Sequence, residues 1–155
     1  MLQRIQSIYL FLAGLAIFAL YLFPLVHNVY VGSTPTSIMV TGSYTDAGGQ
    51  QQMQTHFVAL SAVTAIVGLI PIVIIFLFRN RKQQIALSWS ALLVIIGYSF
   101  WIAQAAKTIT GDVTLKTANF GIGMLLCPVS IVLLIAAVRA IQRDEKLIRS
   151  ADRLR

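Results

Sequence analysis

Charge is scarce in this chain. Asp, Glu, Lys and Arg make up 11% of its 155 residues, against about 25% in an ordinary soluble domain. The scarcity is also local: residues 5–30, 57–78, 83–106 and 117–138 contain none of the four. A charge near a bilayer centre costs at least about 2.5 kcal/mol. Crossing about 30 Å of hydrocarbon takes about 20 apolar residues in a helix, and each stretch meets that length. Transmembrane β-strands are shorter and alternate polar with apolar residues. The run IVGLIPIVIIFLF does not alternate, which excludes a barrel.

Cysteine is nearly absent. Cys127 stands alone in the fourth stretch, so neither an intramolecular disulfide nor a thiolate-based metal site is open to the chain. It reads as a small residue in a helix interface. The four stretches offer hydroxyls such as Ser61, Thr64, Ser90 and Ser130 in place of ionisable groups. Ion-coupled transport uses an intramembrane ionisable residue, and none is there. No phosphate-cradling glycine loop and no nucleophile beside a base is visible. The chain therefore reads as a protein that is not an enzyme and needs no cofactor. The exception to weigh is a histidine pair: His27 closes the first expected helix and His56 opens the second. Two imidazoles at one depth could hold a metal or haem, but each is ordinary at a membrane–water boundary, and that is the reading taken: no metal site is expected.

The positive charges that remain are sorted. Arg4 precedes the first stretch, and Arg79, Arg81 and Lys82 separate the second from the third. Arg139, Arg143, Lys146, Arg149, Arg153 and Arg155 follow the fourth. Residues 28–56 contain no Lys or Arg. Positive residues stay on the cytoplasmic side, so the first group are topology signals and both termini are expected in the cytoplasm. This placement, with no recognition module, argues against nucleic acid despite a net charge of +7. The tail cations from Arg139 to Arg153 recur on one helical face, where they suit contact with anionic lipid headgroups.

These features predict an all-α membrane protein of one domain, residues 1–155. It is a four-helix transmembrane bundle with helices at residues 5–27, 57–78, 84–106 and 118–150, and a basic cytoplasmic tail at 139–155. The first helix exceeds a signal-peptide core and has bulky residues where cleavage would fall, so it is expected to stay uncleaved. Small residues let transmembrane helices approach; Gly14, Ser61, Ala65, Gly68, Gly97, Gly123 and Cys127 are the expected packing points. Pro71 and Pro128 predict bends inside the second and fourth helices. The outer loop, residues 28–56, has β-prone Ile38, Val40 and Tyr44 and a turn signal at residues 46–49. It predicts a small β-hairpin or three-stranded patch over the helix ends.

Three segments, MLQRIQSIYLFLA, FRNRKQQIAL and RAIQRDEKLIRSADRLR, together resemble the DUF4293 family of small four-helix membrane proteins from Bacteroidota. The resemblance runs the length of the chain and is most specific in the two basic segments. It implies a multi-pass protein of the bacterial inner membrane and brings no catalytic residues with it.

Three functions fit these features. The first is a non-enzymatic accessory or structural partner of a membrane complex, engaging a membrane protein through the outer loop or the basic tail. The second is a small channel or transporter component for an uncharged or lipid-like solute, working as a homo-oligomer. The third is a haem or quinone redox subunit built on His27 and His56.

Overall fold

The computed structural model describes residues 3–31, 34–47, 50–78, 80–111 and 117–152. Their order is α1 (Gln3–Phe18), β1 (Val26–Val31), β2 (Thr34–Met39), β3 (Gly42–Ala47), β4 (Gln50–His56), α2 (Val58–Phe76), α3 (Arg81–Thr110) and α4 (Gly123–Asp152).

Each helix buries a seam whose members alternate four and three residues apart. In α1 the seam is Gln6, Leu10, Ala13 and Ile17; in α2 it is Leu60, Thr64, Val67, Pro71 and Ile74. In α3 it runs Gln84, Ser88, Ala91, Ile95, Tyr98 and Ile102, and in α4 Cys127, Ser130, Leu134, Ala137, Ile141 and Asp144. A 3.5-residue repeat keeps one seam facing its neighbours along the whole helix. Accordingly α1 packs on α2 and α4, and α3 packs on the same two. Neighbours run antiparallel: Tyr21 meets Ser61, Thr64 meets Tyr98, Ala13 meets Ser130 and Gln6 meets Asp144.

The helices differ in length. α3 and α4 have 30 residues each, α2 has 19 and α1 has 16. α2, α3 and the Gly123–Leu147 part of α4 are long and apolar enough to cross a membrane. Pro71 and Pro128 lie inside continuous helices.

The first uncharged stretch is not one helix, contrary to the expectation of residues 5–27. α1 ends at Phe18, one 3-10 turn covers Ala19–Tyr21, and Val26 already belongs to a strand. Pro24 disfavours helical geometry in the residue before it, and β-branched Val26 and Val29 suit the sheet that claims them. α3 outruns the expected 84–106 at both ends. At its start the Asn80 side chain caps the helix by accepting from the Gln83 amide at 3.4 Å. α4 begins at Gly123, not 118, because the chain before it is stitched to the α1–β1 link. Gly121 N donates to Leu25 O at 2.9 Å and Gly123 N to Pro24 O at 3.1 Å. A Cβ on Gly121 would lie 2.1 Å from Pro24 O, so only glycine passes there.

The outer segment is larger than a hairpin. β1 to β4 form an antiparallel meander in sequence order. Leu25, Val26, Val29, Ile38 and Val40 belong to one hydrophobic cluster with the helix seams, so the sheet is seated on the helices. Ser61 Oγ donates to Val40 O at 3.0 Å, and Phe57 N to Thr41 O at 3.0 Å. β1 carries a bulge between Val26 and Val29, with Asn28 at a φ of 52°, a left-handed conformation that asparagine tolerates better than most residues. β4 is the far edge, and its residues from Gln52 to His56 are exposed.

Candidate functional site

Apart from Lys107 in the last turn of α3, the charged residues described within the helices gather at the end opposite the sheet. The seam of α4 runs apolar through Leu134, Ala137 and Ile141, and its next position is Asp144, only 6% exposed. The α1 seam ends likewise on buried Gln6. Antiparallel packing sets the two side by side, and Gln6 Nε2 donates to Asp144 Oδ2. The same amide lies 3.4 Å from Ala140 O. From α3, Arg81 Nη1 stands 3.6 Å from Asp144 Oδ2. That is an ion-pair distance but too long for a hydrogen bond, and the buried Nη1 has no hydrogen-bond partner among the described residues. One carboxylate thus holds three helices together.

Beside this clamp, α1 and α4 leave a groove of about 300 Å³ lined by Ile5, Tyr9, Ala136, Arg139, Ala140, Arg143, Asp144 and Leu147. Arg139 and Arg143 are exposed on its rim, one helical turn apart. Lys146 is exposed too, but it lines a different hollow with Ile85, Gln142 and Glu145. The tail cations therefore divide between two grooves. Arg149 falls within α4, and Arg153 and Arg155 lie outside the described residues.

The topology signals collect at the same end. Arg4 is in the first turn of α1, Lys82 is exposed in the first turn of α3, and Arg81 joins the clamp. Arg79 lies outside the described residues.

The packing residues fare unequally. Gly14 and Gly68 meet: a Cβ on Gly14 would sit 2.9 Å from Gly68 O, and one on Gly68 would sit 3.0 Å from the Phe18 ring. Ser61 receives the Tyr21 hydroxyl on its carbonyl, and Ala65 is half-buried. Gly123 packs on the backbone of Pro24 and Phe23, with 2.8 Å from a Cβ to Pro24 O. Cys127 is buried beside a cavity it shares with Leu25, Ser99, Ile102 and Ile131. Gly97 corrects the expectation: it is exposed, and an added Cβ would meet nothing within 4 Å. It falls two residues past Ile95 and one before Tyr98, off the seam.

The histidine pair is also corrected. His27 is on β1 and His56 on β4, the two edges of the sheet, with β2 and β3 between them. Three strand spacings amount to roughly 14 Å, far beyond two ligands on one ion. His27 is half-buried, its Nδ1 has no hydrogen-bond partner among the described residues, and its carbonyl and that of Asn28 accept from Asn119 Nδ2 at 3.3 and 2.9 Å. His56 is exposed.

Gln6, Asp144 and Asn119 were not foreseen. A signal for the first two exists in the sequence. Asp144 is an acidic residue at the next step of the Leu134–Ala137–Ile141 spacing, and Gln6 stands in the same relation to Leu10, Ala13 and Ile17. A polar residue on an apolar stripe asks for a buried partner.

Residues 2–154 match the family model described as Domain of unknown function (DUF4293). Comparison with curated proteins gave no match.

Proposed function

The chain belongs to the DUF4293 family, a domain of unknown function, and from its structure we propose that it is a non-enzymatic integral membrane protein acting as a structural or accessory partner of a membrane complex. The observation that carries this reading is the apolar exterior. Phe76, Leu93, Phe100, Leu125 and Val132 are 64% to 73% exposed. Only 33% of the most apolar window of each long helix is buried. A soluble monomer rarely exposes a contiguous apolar patch beyond a few hundred Å². In a bilayer the same surface needs no cover.

The interior supports the non-enzymatic part. Its hydroxyls are already engaged: Ser130 Oγ donates to Ala13 O at 2.9 Å and Thr64 bonds Tyr98, each between two helices, and Ser88 Oγ donates to Gln84 O at 2.8 Å within α3. The four-helix transmembrane bundle sits in the bacterial inner membrane, with the clamp end in the cytoplasm and the sheet outside. That orientation follows from the cations at the clamp end and the positive-inside bias. The sheet is the surface for a protein partner, since β4 presents an exposed strand edge.

Two measurements test this. Phase partitioning of the purified protein should place it with detergent; recovery in the aqueous phase would end the membrane reading. Crosslinking from exposed Gln54 in intact cells should capture one stoichiometric membrane-protein partner. Capture of nothing but further copies of this chain would favour the homo-oligomeric channel reading.

A further inference from the structure

We infer that the groove between α1 and α4 is a binding site for one anionic phospholipid, with the phosphate on Arg139 and Arg143 and the start of an acyl chain along Tyr9 and Ala136. The inference rests on the membrane reading above and goes beyond it by choosing one groove and one ligand class.

Charge complementarity selects the ligand. Arg139 and Arg143 share the rim, about 6 Å apart along the helix axis. The only carboxylate among the lining residues, Asp144, already faces Gln6 and Arg81. The groove therefore presents two guanidiniums to whatever enters. A guanidinium fork fits phosphate oxygens in pairs. The walls toward the middle of the helices are apolar, as an acyl chain requires. The volume of about 300 Å³ is at the small end for ligand pockets, enough for a phosphate and the first part of one chain. The rest of the lipid lies along the exposed helix faces.

Position agrees with chemistry. Asp144 and Arg81 mark the level of the α2–α3 turn, and Arg139 lies five residues nearer the middle of α4. Both arginines then sit where headgroup phosphates are found, with Tyr9 and Ala136 on the hydrocarbon side of them and Ile5 and Leu147 at the outer end of the groove. Lys146 supplies an internal control. It carries the same charge at the same end but lines another hollow.

The test is native mass spectrometry of the full chain in mild detergent, titrated with phosphatidylglycerol and phosphatidylcholine of identical acyl chains. One phosphatidylglycerol should be retained at least tenfold better than phosphatidylcholine. Arg139→Gln with Arg143→Gln should lower that retention about thirtyfold, from the usual worth of two cations near an anionic lipid. Lys146→Gln should leave it unchanged. Arg139→Lys with Arg143→Lys keeps the charge but loses the fork, and should fall between. Shielding of Cys127 from maleimide reports that each variant is folded. Equal retention of the two lipids overturns the site, as does an equal loss in Lys146→Gln. A protein that partitions into detergent without lipid selectivity refutes only this site. One that partitions into water refutes the membrane reading itself.

Discussion

The amide of Gln6 donates to the carboxylate of Asp144, joining side chains 138 positions apart. Each closes a seam whose adjoining position is apolar, Leu10 beside Gln6 and Ile141 before Asp144, and Arg81 brings a third helix to the same carboxylate. Polar groups at single seam positions set register at a cost in stability. Here the register is that of α1 against α4.

Removing the carboxylate should therefore destabilise the fold. Asp144→Ala strands the Gln6 amide and the Arg81 guanidinium and should cost about 1–3 kcal/mol. Adding Arg81→Met should recover part of that loss, because the unneutralised cation goes too. Thermal unfolding in detergent measures both. Additive losses would remove Arg81 from the clamp.

Thr64 and Tyr98 offer a cleaner pair, since both are buried and the Thr64 hydroxyl, which donates to Leu60 O at 2.6 Å, is left to accept from the Tyr98 hydroxyl. A double-mutant cycle with Thr64→Val and Tyr98→Phe should give a coupling of about 0.6 kcal/mol and no more than about 1.7. A coupling indistinguishable from zero would mean that the contact contributes nothing to α2–α3 pairing.

Two glycines should answer differently to alanine. Gly97→Ala fills empty surface and should stabilise α3 by up to about 1 kcal/mol through helix propensity. Gly14→Ala drives a methyl against Gly68 O and Ile72 and should destabilise by about 1–3 kcal/mol. Matched unfolding curves of the two variants decide the point.

Asn119 ties the link before α4 to the β1 bulge through the carbonyls of His27 and Asn28. Asn119→Ala should cost about 1 kcal/mol and raise amide hydrogen exchange locally in β1, leaving α2 and α3 protected. Uniform exchange across the sheet would show that the bulge is held some other way.

Much of this was legible in the uncharged stretches, and the failures are instructive. Residues 57–78 hold nothing but α2 and its flanks, because an apolar run with no competing partner can only satisfy its backbone as helix. Residues 5–30 look the same by composition and are split. Val26 and Val29 bury themselves in a sheet, and a buried strand is as free of charge as a buried helix. Asp144 is hidden for the opposite reason: it sits beside Glu145 in a tail so basic that an acid there reads as a surface ion-pair partner. The seam, spaced by fours and threes, outranks local charge, and it carries Asp144 inside. The histidines could not be placed from sequence at all, since their separation depends on how many strands lie between them.

The two shortest helices are the two that carry the sheet. β1 continues from α1 through residues 22–25, and β4 enters α2 at Val58 with one residue between. A load applied to the sheet thus reaches α1 and α2 at once, each through its own covalent strap, and the two helices share it across the Gly14–Gly68 contact. Among the described residues, α3 and α4 are joined to the sheet through side chains, the stitches at Gly121, Gly123 and Asn119, and the bridge between Val26 and Phe120. Tension from outside would be borne first by the α1–α2 pair.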